Sequence, residues 1–175
     1  HFFLNTVKRS GGGGAAQAVT DYWADVGIRV TPRERSGQLF RVETEARLHD
    51  FNVWSGNGEY MPLLEPRMFV PSSGYSDWAR GYALWYLNGG LYDNPEAEEH
   101  PGAIEPGEGS LYRRTMEVYD ATKTALTLED QVEIFRENLL LAADNLWTIS
   151  ISNSPPRIIP MQEIARNVPD RAVYS

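Results

Sequence analysis

The stretch from His49 to Gly90 holds three of the chain's five tryptophans. Within it, Trp54, Ser55, Asn57, Glu59 and Tyr60 stand close together where a strand signal ends, so two aromatic rings share a short turn with hydroxyl, amide and carboxylate groups. That mixture suits a sugar or similar polar solute, whose apolar face stacks on a ring while its hydroxyls bond the neighbouring groups. Trp78 is a further candidate for the same wall. The competing reading makes Trp54 a core residue and the rest a polar turn. Trp78, Tyr82, Trp85 and Tyr86 recur at three- and four-residue intervals, which puts most of them on one helical face, a pattern commoner in cores than in ligand contacts.

Catalysis has weaker support. A glycosidase needs two carboxyl groups facing one cleft at about 5 to 10 Å. Asp50 with Glu59, or Glu96, Glu98 and Glu99, are the acids on offer, and each reads equally well as a solvated side chain. No GxSxG, HExxH or kinase-like motif is present, so no catalytic residue is assigned and a non-enzymatic role is expected. The three histidines His1, His49 and His100 show no ligand spacing and there is no cysteine, so neither a metal nor a cofactor is expected. A net charge of -8, with 16 basic against 24 acidic residues, excludes the basic footprint that nucleic acid requires. No run approaches the ~18 to 20 apolar residues of a membrane span. One globular unit, monomeric and soluble through its charge, is the expectation.

These residues need a scaffold. Phe2 to Val7 reads as a buried strand, and Ala15 to Val26 as an amphipathic helix that Gly27 stops. Ile28, Val30 and Thr31 begin a strand that continues through Glu34, Ser36 caps a second helix through Leu48, and Asp50 to Trp54 forms the next strand. Strands alternating with helices across short joints describe a parallel sheet covered by helices. Residues 56–77 read as a long ordered loop, a feature usually tied to function. Asp77 should cap a helix from Trp78 to Leu87, and residues 92–109 read as a solvated acidic loop. Ser110 to Ala125 and Thr127 to Asn145 are the long helices, the second opened by a T-L-E-D capping box. Strands follow at Trp147 to Ile151 and Arg157 to Met161. The four glycines Gly11 to Gly14 read as a flexible linker or an engineered join.

Taken in order, AAQAVTDYWADVGIRV (15–30), HDFNVW (49–54), FVP (69–71), WARGYALWYLNGG (78–90), ADNLWTIS (143–150), ISNSPPRIIP (151–160) and RNVPDRAVYS (166–175) resemble the extracellular solute-binding proteins of family 5. That family comprises the peptide, nickel and oligosaccharide receptors of ABC importers. The resemblance implies an α/β fold, one lobe of a type II periplasmic-binding-protein architecture, with a mixed sheet flanked by helices. Residues 15–175 would be most of that lobe, and residues 1–10 a strand segment displaced from its native context. FVP with WARGYALWYLNGG is most similar to a subgroup with oligosaccharide-binding members. Peptide receptors place an Asp just after the HDFNVW-like strand, where this chain has Ser55, Gly56, Asn57, Gly58 and Glu59. An oligosaccharide is therefore the expected ligand and an oligopeptide the alternative. The resemblance further implies capture in the periplasm or outside the cell, delivery to ABC permease subunits, a lipid anchor on the full-length parent in some envelopes, and weak binding by one lobe alone.

Overall fold

A computed structural model describes residues 1–8, 12–54, 61–76, 78–150 and 166. The first part is a three-stranded sheet built from β1 (Phe2–Val7), β2 (Val30–Arg35) and β3 (Phe51–Val53), in the order β2-β1-β3. All three strands run parallel, Phe2 pairing with Val30 and Leu4 with Phe51. Helix α1 (Gly12–Asp25) connects β1 to β2, and α2 (Gly37–Glu45) connects β2 to β3. As the middle strand, β1 has four consecutive buried residues, Leu4 to Val7, which is what a strand covered on both faces requires.

Alternation along β1 assigns one helix to each face. Leu4 packs with Ala16 of α1 and Val30 of β2, and Val19, Trp23 and Val53 close over them. Asn5 points the other way, where its side-chain amide donates to Glu43 of α2 at 2.7 Å. The stop after α1 is the expected one, with Gly27 at φ 86°, a conformation that costs an L side chain energy. Ser36 caps α2 by accepting from the Leu39 amide.

The second part is helical: α3 (Arg80–Leu87), a single turn α4 (Glu96–Glu99), α5 (Leu111–Thr124) and α6 (Leu128–Asn145). Ser110 caps α5 through the Arg113 amide, and Thr127 caps α6 through the Asp130 amide. The Asp130 carboxylate closes the box by accepting from the Thr127 hydroxyl instead of its backbone. Val70, Trp85, Tyr86, Ala97, Met116 and Phe135 form the core here, and a buried bond from Asn138 to the Thr115 carbonyl joins α6 to α5. Gly90 packs so tightly that a Cβ would lie 2.1 Å from the Trp85 ring. Burial of Trp85 and Tyr86 places most of the α3 aromatic stripe in the core.

Four expectations need correction. Gly12 to Gly14 form the opening turn of α1, where a linker was expected. Residues 92–109 are no simple solvated loop, because α4 drives Ala97 into the core and Pro106 is fully buried. Helix α3 starts two residues later than expected, with Ala79 as its N-cap at φ 48°, and the expected cap Asp77 lies outside the described residues. Residues 147–150 form no strand, and Trp147 instead stacks on Trp78 with ring centres 5.1 Å apart. The expected strand at residues 157–161 lies outside the described residues.

Candidate functional site

Trp54 follows the carboxyl end of β3, the end of a parallel strand at which open α/β sheets bind their ligands. Its ring lies over Phe40 of α2 with centroids 5.1 Å apart and planes 22° from parallel. His49 stacks against Phe40 at 6.5 Å. Trp54 keeps 39% of its surface exposed while Phe40 beneath it is buried, so the Trp54 ring is the open face of a platform at the edge of the sheet layer.

Beside this platform lies a hollow of about 320 Å³ lined by Phe40, Arg41, Thr44, Glu45, Trp54, Arg67, Tyr75, Ser76 and Arg80. Three segments supply it. On α2, Phe40 and Thr44 are one turn apart and face inward, while Arg41 and Glu45 stand beside them at the same spacing. The segment 61–76 contributes Arg67, Tyr75 and Ser76, and the start of α3 contributes Arg80. A wider hollow of about 530 Å³ at the start of α6, lined by Thr127, Leu128, Glu129 and Val132, has neither a ring nor a cation.

Specific contacts hold the lining. The Glu43 carboxylate receives the Asn5 amide from β1 and the Arg35 guanidinium from β2, the latter at 2.9 Å, which fixes α2 against the sheet. The Arg35 hydrogen bond is the main reason that the Glu43 carboxyl titrates below its usual range. Burial pushes His49 down from its usual value, so it is held in the neutral form. Arg80 donates to the Gly74 carbonyl and lies 3.8 Å from Glu45. Arg67 pairs with Glu65 at 3.0 Å, and the Trp78 indole donates to the Arg67 carbonyl at 2.9 Å. Arg41 makes no ion pair or hydrogen bond among the described residues. Thr44 Oγ1 and Ser76 Oγ are buried just beneath the lining without a hydrogen-bond partner.

Of the residues singled out in the sequence, Trp54 lines the hollow. Trp78 does not: it sits in a separate ring cluster with Tyr112 and Trp147 and reaches the hollow only through its bond to Arg67. Ser55, Asn57, Glu59 and Tyr60 lie outside the described residues. Asp50, one candidate of a catalytic pair, accepts from the Phe3 amide at 2.7 Å, and Glu96, Glu98 and Glu99 are exposed on α4. None of these four acids lines the hollow. Among the described residues no group of three or more His, Asp or Glu could hold a metal ion, and no helix is long and apolar enough to cross a membrane. Sequence reasoning missed Phe40, Arg41 and Thr44, whose Arg and Glu neighbours read as ordinary helix-surface charge, and Arg67, Tyr75, Ser76 and Arg80. Their only sequence signal was the length of the segment after Trp54.

No protein-family model and no curated protein matches the sequence. Among solved structures, the chain is similar to the oligopeptide-binding protein OppA, with a TM-score of 0.69 and 22% sequence identity. The match covers 83% of this chain and 23% of that one, so the chain spans about a quarter of its neighbour's length. The architecture is therefore that of an α/β lobe of the periplasmic-binding-protein type, a parallel sheet between helices with a hollow at the carboxyl end of β3.

Proposed function

We propose that this chain is a ligand-binding lobe of a family 5 solute-binding protein, which captures a small polar solute outside the cytoplasm and delivers it to the permease of an ABC importer. The observation that carries the reading is the half-exposed Trp54 ring, stacked on the buried Phe40 ring at a strand's carboxyl end and forming one wall of the hollow. A flat, half-exposed ring beside hydrogen-bonding groups is what a sugar face or a peptide backbone stacks on. In two-lobed receptors the opposing lobe supplies the second wall, and closure about a hinge completes the site. The role proposed is binding; among the described residues the lining holds one carboxylate, Glu45.

An oligosaccharide is one ligand class supported by the aromatic platform. An oligopeptide is supported equally, by the likeness to an oligopeptide-binding protein and by the guanidinium groups in the lining. Trp54, Ser55, Asn57, Glu59 and Tyr60 are proposed as contacts, with Trp78 holding the Arg67 segment from behind.

Titrating sugars and short peptides while following the five indole N–H resonances tests the role, because NMR registers the millimolar affinities expected of a single lobe. A binding solute should move the Trp54 resonance. Trp54→Ala should weaken that binding by about tenfold or more, equivalent to about 1.4 kcal/mol. Its stability should drop far less than the about 3 to 5 kcal/mol typical of a core tryptophan. Undiminished affinity in Trp54→Ala, or a core-sized loss of stability, would count against the platform.

A further inference from the structure

We propose that Thr44 and Ser76 are specificity-determining residues of the Trp54 hollow, their hydroxyls together taking an uncharged hydrogen-bonding group of the solute, a sugar hydroxyl or a peptide carbonyl. The inference rests on the solute-binding reading and adds to ring stacking a second kind of contact.

Two buried hydroxyls without a partner carry it. Threonines in the helices of this chain ordinarily bond their own backbone. Thr20 on α1 donates to the Ala16 carbonyl, and Thr115, Thr122 and Thr124 on α5 donate to the carbonyls of Tyr112, Val118 and Ala121, all at 2.8 to 2.9 Å. Thr44 on α2 is the exception: its Oγ1 is buried and makes no such bond, although the Phe40 carbonyl stands one turn before it. Ser76 differs from Ser73 in the same way. Ser73 Oγ accepts from the Tyr75 amide at 3.1 Å, while Ser76 Oγ is buried without a partner. Thr44 is 8% and Ser76 1% exposed, so bulk water does not supply the missing bonds.

Both residues line the hollow, Thr44 from α2 and Ser76 from the segment 61–76. Other unpaired buried groups, Thr6 Oγ1 in the sheet and Asn138 Oδ1 between α5 and α6, do not line it. Charge in the lining is already answered: Arg67 pairs with Glu65 at 3.0 Å, Arg80 lies 3.8 Å from Glu45, and Arg41 is exposed to water. The unmet demand is therefore for neutral hydrogen bonding. A hydroxyl donates and accepts through one oxygen and rotates to suit its partner. A sugar hydroxyl can accept from one member of the pair and donate to the other, and a peptide carbonyl can accept from both. Thr44 lies one helical turn from Phe40, beneath the Trp54 ring, so a solute stacked on that ring brings its polar edge toward the pair. Unpaired polar groups weaken the free chain, a cost that a binding site bears for its solute.

The test sets stability against binding. Thr44→Val and Ser76→Ala each remove a hydroxyl with little change of shape. Urea denaturation of the free chain should give a midpoint equal to or above the parent's, because an unpaired buried group has gone. Binding should move the other way. The Trp54 indole resonance, assigned with Trp54→Phe, is followed as the chain is titrated with maltotriose, cellotriose, chitotriose and trialanine, each to millimolar concentration. At least one probe should bind, and whether it is a sugar or the peptide identifies the source of the group. Each variant should bind that probe about tenfold more weakly, equivalent to about 1.4 kcal/mol, and Thr44→Ser should bind it as the parent does. A midpoint that falls in either variant shows a structural partner for that hydroxyl and overturns the assignment. Unchanged affinity in both variants overturns it as well, and in either case the solute-binding reading stands. If no probe moves the Trp54 resonance, both readings fall.

Discussion

Glu43 shows how much of the site depends on a residue outside it. Its carboxylate gathers the Asn5 amide from β1 and the Arg35 guanidinium from β2 while belonging to α2, so a single group ties three elements together. Asn5 is fully buried, and its other side-chain atom has no partner, so losing Glu43 would strand the amide as well. Leaving a buried polar group unpaired costs more than the bond itself was worth. Glu43→Gln should therefore lower unfolding stability by about 1 to 3 kcal/mol, measured by urea denaturation. It should also disturb the Trp54 indole environment, because α2 carries Phe40. A variant as stable as the parent would mean that the contact is an ordinary solvent-screened surface pair. Trp54 and Trp78 make the complementary point: both are tryptophans of one segment, but one faces the hollow and the other packs against Trp147 and Tyr112.

At the scale of elements, α1 carries an unusual opening. Gly12 to Gly14 have helical conformation although glycine is the least favourable residue there after proline. A Cβ at Gly13 or Gly14 would meet nothing within 4 Å. Gly13→Ala and Gly14→Ala should each stabilise the protein by about 0.5 to 1 kcal/mol, because alanine surrenders less chain entropy on folding. Thermal denaturation reads this directly, and no gain in either variant would indicate that the segment is not helical in solution. The start of α3 carries a different local cost. Ala79 adopts the left-handed conformation at φ 48°, worth about 1 to 2 kcal/mol of strain for a residue with a Cβ. That joint immediately precedes Arg80, whose bond to Gly74 closes the loop back on itself and holds the guanidinium beside the hollow.

For the whole molecule, the titrating groups imply loss of stability on acidification. His49 is held neutral by burial, with its value below the usual 6.5. Its contribution is fully present above that unfolded value and is lost as pH falls from there toward the folded one. Burial raises the Asp120 carboxyl, but hydrogen bonds from Lys123, Tyr86 and Tyr92 outweigh it and leave the group depressed. Glu43 is depressed by Arg35. These two carboxylates contribute fully above their unfolded values and lose that contribution as pH falls through their folded ones. The melting temperature should thus decline in two stages, first just below about pH 6.5 and again in the carboxylate range. His49→Gln should flatten the first stage and leave the second. A parent melting temperature that does not change between neutral pH and pH 5 would contradict the His49 assignment. Both stages concern groups near the joints between layers: His49 stacks beneath the ring platform, and Asp120 of α5 binds Tyr86 of α3.

Apart from the glycine opening of α1, the sequence by itself determined the order of strands and helices in the first 54 residues and the two long helices after Ser110. Their signals are local: apolar spacing along one face, a serine or threonine reaching an amide three residues ahead, a glycine able to turn left-handed. Such signals act within a turn or two of the chain and can be read without knowing what packs against them. Tertiary structure alone decided that Ala97 and Pro106 are core within an acidic, glycine- and proline-rich stretch, that Trp78 turns away from Trp54, and that Arg41, Arg67 and Arg80 share one hollow. Burial and convergence of charge arise from contacts between segments distant along the chain, and no local pattern encodes which of two similar side chains will meet water and which will meet another layer.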